Sequence, residues 1–193
     1  MRLSVIVGLS VLCTSGIQLQ PSENSSLKHG KQKTAAPHVQ IPQKEARPED
    51  VSSIDGMIKA YYEVVSGPAG QPRDWGRDAT LYISGFRFVV ISKDKNGKTT
   101  AQSMSHQEFV DSSDATMVRE GFYEQEIHRI MHAAGDVAHV LSTSENALSP
   151  NGPAQGHSID SLELYWDGKR WWITGANVWE MRSRQAIPSE FLP

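Results

Sequence analysis

A chain of 193 residues with 38% apolar content fits one globular domain plus appendages. Its net charge of -3 and the lack of any long basic stripe argue against a nucleic-acid partner, because nothing is placed to neutralise a run of phosphates. Cys13 is the only cysteine, which excludes an intrachain disulfide and a cysteine-based metal site.

In chain order, Arg2 and the apolar run Leu3–Leu12, followed by Cys13-Thr14-Ser15-Gly16, have the layout of a cleavable export signal over residues 1–16. The run is shorter than the roughly 20 residues needed to span a bilayer, so no stable membrane insertion is expected after cleavage. The expected location is periplasmic or secreted. A lipid on Cys13 is the competing reading, opposed by Leu12 where a small residue would be required. Residues 17–50 are rich in Gln, Ser, Lys and Pro and read as a flexible linker.

The folded domain is expected over residues 51–193. Ile54, Met57, Ile58, Tyr61, Tyr62 and Val65 recur at helical spacing, with Ser52 as the expected N-cap and Gly67-Pro68 as the stop. A short helical turn is expected around Trp75. Leu81–Ile83 and Phe88–Ser92 read as strands, and Lys95-Asn96-Gly97 as a hairpin turn into a strand over Thr99–Ser103. Ser105 followed by Glu108 is a capping box opening a short helix.

The segment Phe122–His132 satisfies a helical stripe through Tyr123, Ile127, Ile130, Met131 and Ala134, yet a turn at Gly135-Asp136 would make it a strand paired with Val137–Leu148. Near the end, two alternating apolar runs flank Asp167-Gly168, the signature of an antiparallel hairpin carrying Trp166, Trp171 and Trp172. Being adjacent on a strand, Trp171 and Trp172 must face opposite ways.

This order of elements resembles the nuclear transport factor 2-like (SnoaL-like) superfamily, and within it a bacterial group of small exported domains. The resemblance is carried by Tyr61-Tyr62-Glu63-Val64-Val65-Ser66-Gly67, Pro72-Arg73-Asp74-Trp75, Gly121–Arg129, Val137-Ala138-His139-Val140 and Ser142-Thr143-Ser144-Glu145. Trp166-Asp167-Gly168, Trp171-Trp172-Ile173 and Ile187–Pro193 complete it. It implies an α+β fold, a strongly curved antiparallel sheet forming a cone on N-terminal helices, and a strand at Phe122–His132. It implies no particular activity, since one fold hosts many functions, and no catalytic set of the superfamily aligns here residue by residue. Superfamily members often pair through the outer sheet face, so a homodimer is expected.

Candidate chemistry is sparse. His128 and His132 would share a metal ion on a helix, but on a strand they lie about 13 Å apart at about 3.3 Å per residue. His139 adds at most one cross-strand partner for His132, so neither metal nor other cofactor is expected. The acid–base candidates are Glu126, His128, Glu145, Asp160 and Tyr62; Glu126 and His128, two residues apart on a strand, share a face, and the paired strand brings Glu145 near. The competing reading places them on the wet outer face. Tyr62, Trp75, Phe88, Trp172, Asn177 and Trp179 are the candidate lining of a hydrophobic cavity for a small apolar or aromatic ligand, with Asn177 at its floor. Three functions remain: an exported ligand-binding domain, a cofactor-independent isomerase, dehydratase or cyclase, and a dimeric interaction module whose cavity its own side chains fill.

Overall fold

The computed structural model describes residues 38–182 and 186–193. The proposed signal, most of the proposed linker and Cys13 lie outside them. Four helices, α1 (Pro48–Val51), α2 (Ile54–Glu63), α3 (Trp75–Ala79) and α4 (His106–Glu120), accompany six strands. The strands are β1 (Arg87–Lys93), β2 (Thr99–Ser105), β3 (Tyr123–Ala134), β4 (Val137–Ala147), β5 (Gly156–Trp166) and β6 (Trp171–Arg182). They form one sheet in the order β2-β1-β6-β5-β4-β3. This is the α+β, cone-like arrangement that the order of elements implied.

The expectation of a purely antiparallel sheet needs one correction: β1 runs parallel to β6. No hairpin joins those two strands, so turn geometry does not impose their direction. Every other pair is antiparallel.

Tyr123–Ala134 is a strand, despite its helical stripe, because β4 lies beside it along almost its whole length. Gly135, at φ 60°, makes the reversal into β4, and His132 stands opposite His139. The capping box is complete: the Ser105 hydroxyl accepts from the Glu108 amide at 3.2 Å, and the Glu108 carboxylate accepts from the Ser105 amide at 2.6 Å. The helix it opens is not short, however, and runs for 15 residues.

Local boundaries moved elsewhere. Ser53, not Ser52, caps α2, accepting from the Gly56 amide at 3.0 Å. The helix stops at Glu63, before Gly67-Pro68. Leu81–Ile83 forms only a bridge, Tyr82 to Ile173. The β5–β6 connection uses four residues, because the Asp167 carboxylate accepts from the amides of Lys169 and Arg170.

The linker reading fails over its last residues. Val39 and Ile41 pack on the core, and the Val39 amide donates to Asp111 at 2.8 Å. Asp50 and Val51 are buried in or beside α1. Pro42 lies in this docked strap, whose isolated apolar residues Val39, Ile41 and Ala46 are the ones that meet the core.

Core residues come from one face of the sheet and from the helices over it. Met57, Ile58, Leu81, Val110, Val140, Leu162 and Ile173 are fully buried. Tyr82, Phe86, Phe88 and Phe109 join them in a chain of ring contacts, with Tyr82 and Phe86 stacked at 4.2 Å.

Candidate functional site

The helix-covered face of the sheet changes character along its length. Toward one end, β4 and β5 point Ala138, Val140, Leu162 and Leu164 into the core; toward the other they point Ser142, Ser144, Ser158 and Asp160. The period of two therefore continues while the chemistry switches from apolar to polar. From above, α2 brings down Tyr62, whose hydroxyl donates to Ser142 at 2.8 Å and lies 3.4 Å from Asp160.

On β3 a bulge at Ile127 shifts the register between Glu126 and His128. Before it, Glu124 and Glu126 face inward beside Asn146 and Ser144; after it, Arg129 rather than His128 takes the inward position, opposite Ser142. The hydrogen bonds form a closed network. Ser142 donates to Glu126 at 2.6 Å, Ser144 donates to Glu124 at 2.7 Å, Ser158 donates to Asp160 at 2.8 Å, and Ser144 and Ser158 lie 2.8 Å apart. Arg129 grips both oxygens of Glu126 and reaches Asp55 on α2.

Glu124 and Glu126 open onto a cleft of about 420 Å³ between α2, the edge strand β3 and the loop Ser149–Gly152. Ile58, Tyr62, Tyr123, Ala147 and Pro150 supply its apolar walls, and Glu124, Glu126 and Arg129 its polar floor. Loss of water around Glu124, reinforced by the charge of Asp160, pushes its carboxyl up to about 8. Burial raises Asp160 to about 7, against the lowering effect of its hydroxyl donors. Tyr62 is raised well above 10 by burial and by Asp160, so its hydroxyl stays a donor. The pair of carboxyls thus retains a proton into the neutral range.

The proposed acid–base trio is brought together only in part. Glu126 and Glu145 both border the cleft, Glu126 from the inner face of the sheet, whereas His128 does not line it and sits on the opposite face. Glu145 accepts from Gln125 at 2.7 Å and lies 3.9 Å from His157. The bulge defeats the rule that residues two apart share a face. Among the described residues no group of three or more His, Cys, Asp or Glu side chains is arranged to hold a metal ion.

Of the expected cavity lining, only Tyr62 borders the cleft. Trp75 is buried core, donating its indole N–H to Asp114 at 2.6 Å, and Phe88 belongs to the aromatic chain. Trp172 lies on the outer face under the Arg170 guanidinium, 3.7 Å from its centroid, and donates to Asp167. Trp171 turns the other way and packs on the core. Asn177 is exposed and pairs with Ser161 on the outer face, and Trp179 pairs with Ile159 there, so neither reaches a cavity floor. Glu124, Arg129 and Asp160 were not singled out as a set; the signal available was Ser142-x-Ser144 beside Ser158-x-Asp160, two alternating polar pairs inside apolar strands.

No family model matches the chain, and no curated protein is similar to it. Solved structures with related folds include an NTF2-like protein with a cystatin-like fold from Novosphingobium aromaticivorans, 11% identical over 60% of this chain and 74% of that one, TM-score 0.42. The beta subunit of a proposed aromatic-ring-hydroxylating dioxygenase from the same species is 14% identical over 70% and 91%, TM-score 0.49. A proposed ketosteroid isomerase from Parabacteroides distasonis is 12% identical over 69% and 92%, TM-score 0.41. These are likenesses of fold at low identity.

Proposed function

We propose that the protein binds a small organic molecule in the cleft beside β3, with an apolar body against Ile58, Ala147 and Pro150 and a polar end at Glu124. The observation that carries this reading is the joining of an open cleft to buried, hydrogen-bonded carboxyls. Burying such groups costs free energy that a sheet packed with apolar residues would not incur. The test is a panel of aromatic, steroid-like and aliphatic compounds, followed by thermal shift and by chemical shifts of Tyr62 and Tyr123. A hit whose effect is lost in Glu124→Gln supports the reading; a full panel without response overturns it.

A second reading, cofactor-independent proton transfer, is favoured by one feature: Glu124 holds a proton near neutrality and so is matched to acid–base work at that pH. In that case Glu124 takes the role first given to His128. Export of the chain, and a homodimer built on the outer face around Trp172 and Tyr165, complete the proposal. Both rest on the sequence pattern, with Tyr165 standing exposed.

A further inference from the structure

A second concavity, of about 330 Å³, lies away from the acidic cleft, where the strap residue Ile41, the turn Ile83–Phe86 and the start of α4 meet. Its volume is at the low end for small-ligand pockets, about 300–1,000 Å³. Ile41, Ala79, Ile83 and Phe86 make its walls apolar.

Its polar side chains are almost all committed. The Ser105 hydroxyl accepts from the Glu108 amide. The Gln107 amide group donates to the Val39 carbonyl and to Asp111, 2.9 and 2.8 Å away. Tyr82 donates its hydroxyl to Asp78 at 2.8 Å. His106 places Nε2 2.8 Å from the other oxygen of Asp78, a carboxylate 1% exposed. A carboxylate accepts, so Nε2 carries a proton and Nδ1 is the ring nitrogen left to another partner. Among the described residues Nδ1 has no hydrogen-bond partner. With the Ser105 O–H and the Gln107 carbonyl oxygen, it is one of the polar groups the lining side chains can offer a ligand.

We propose that this pocket is a separate binding site for a neutral, phenol-like molecule whose hydroxyl hydrogen-bonds to His106 Nδ1 while its ring lies against Ile83 and Phe86. Asp78 is the positioning residue that holds the imidazole through Nε2. A charged ligand is disfavoured, because no carboxylate or ammonium lines the walls to pair with it.

The test titrates the full chain with phenol, and with toluene as a probe of equal shape lacking the hydroxyl, following the His106 ring and Phe86 ring resonances. Saturable phenol binding at least 10-fold tighter than toluene, with contacts between phenol and Phe86 protons, is expected. His106→Leu should abolish the preference for phenol, and Glu124→Gln should leave it intact. Equal response to both probes, none to either, or an unchanged preference in His106→Leu overturns the proposal. The wild-type comparison and the Phe86 contacts decide it even if the variant does not fold.

Discussion

Arg129 and Glu126 form a two-point ion pair, Nε to Oε1 at 2.8 Å and Nη2 to Oε2 at 2.6 Å, although they stand at positions i and i+3 of one strand. In a regular strand that spacing puts two side chains on opposite faces. The bulge at Ile127 reverses the parity and brings both inside, where Ser142 and Asp55 complete their bonding. Replacing Arg129 with Met should leave Glu126 half-buried and without its cation. The expected cost is about 1–3 kcal/mol, below the value for a fully buried pair. Urea unfolding of the variant measures it, and the double variant Arg129→Met, Glu126→Gln should recover part of the loss.

The raised carboxyls make stability depend on pH in an unusual direction. Glu124 and Asp160 bind protons more tightly when folded than at their ordinary values of 4.5 and 3.8. Between those values and about 8 the folded state therefore holds more protons than the unfolded, and stability falls as pH rises. The melting temperature should decline from pH 5 to pH 8.5, and Glu124→Gln, which cannot ionise, should flatten the decline. A slope unchanged in the variant would remove Glu124 as its source.

Arg73 is buried at 6% exposure, and its hydrogen bonds run to backbone carbonyls. It donates to Val65 at 2.8 Å, Gly67 at 2.7 Å, Gln71 at 2.6 Å and Met117 at 2.8 Å, tying the end of α2 to the end of α4. A lysine carries the charge but not the planar fork, so Arg73→Lys should leave carbonyls unpaired and cost about 2–4 kcal/mol. Denaturant titration reads this directly; a loss under about 0.5 kcal/mol would contradict it.

Gly121 ends α4 at φ 78°, and a Cβ there would stand 2.8 Å from the Leu148 carbonyl oxygen. Gly121→Ala combines a left-handed backbone with a close approach to rigid main chain, and should lower the melting temperature by several degrees. Gly97→Ala, at φ 80° in an open hairpin, meets nothing within 4 Å and should cost less.

Much of the architecture is legible along the chain because it depends on neighbours in sequence. The capping box at Ser105 and Glu108, the positive-φ turns at Gly97 and Gly135, the α2 stripe and the opposed facing of Trp171 and Trp172 all follow from spacing within a few residues; that Trp171 is the inward one does not. The strand at Tyr123–Ala134 came through resemblance, since its own periodicity favours a helix and only pairing with β4 decides otherwise.

What the amino-acid order determined by itself was the set of elements and most of the residues able to pack. Which carboxyls became chemically distinctive was decided by the tertiary structure. One extra residue at Ile127 exchanged His128 for Arg129 on the inner face, and burial beside Asp160 altered the proton affinity of Glu124. Strand parity beyond a bulge and water removed by distant segments are properties of the assembled fold, carried by no local stretch of sequence.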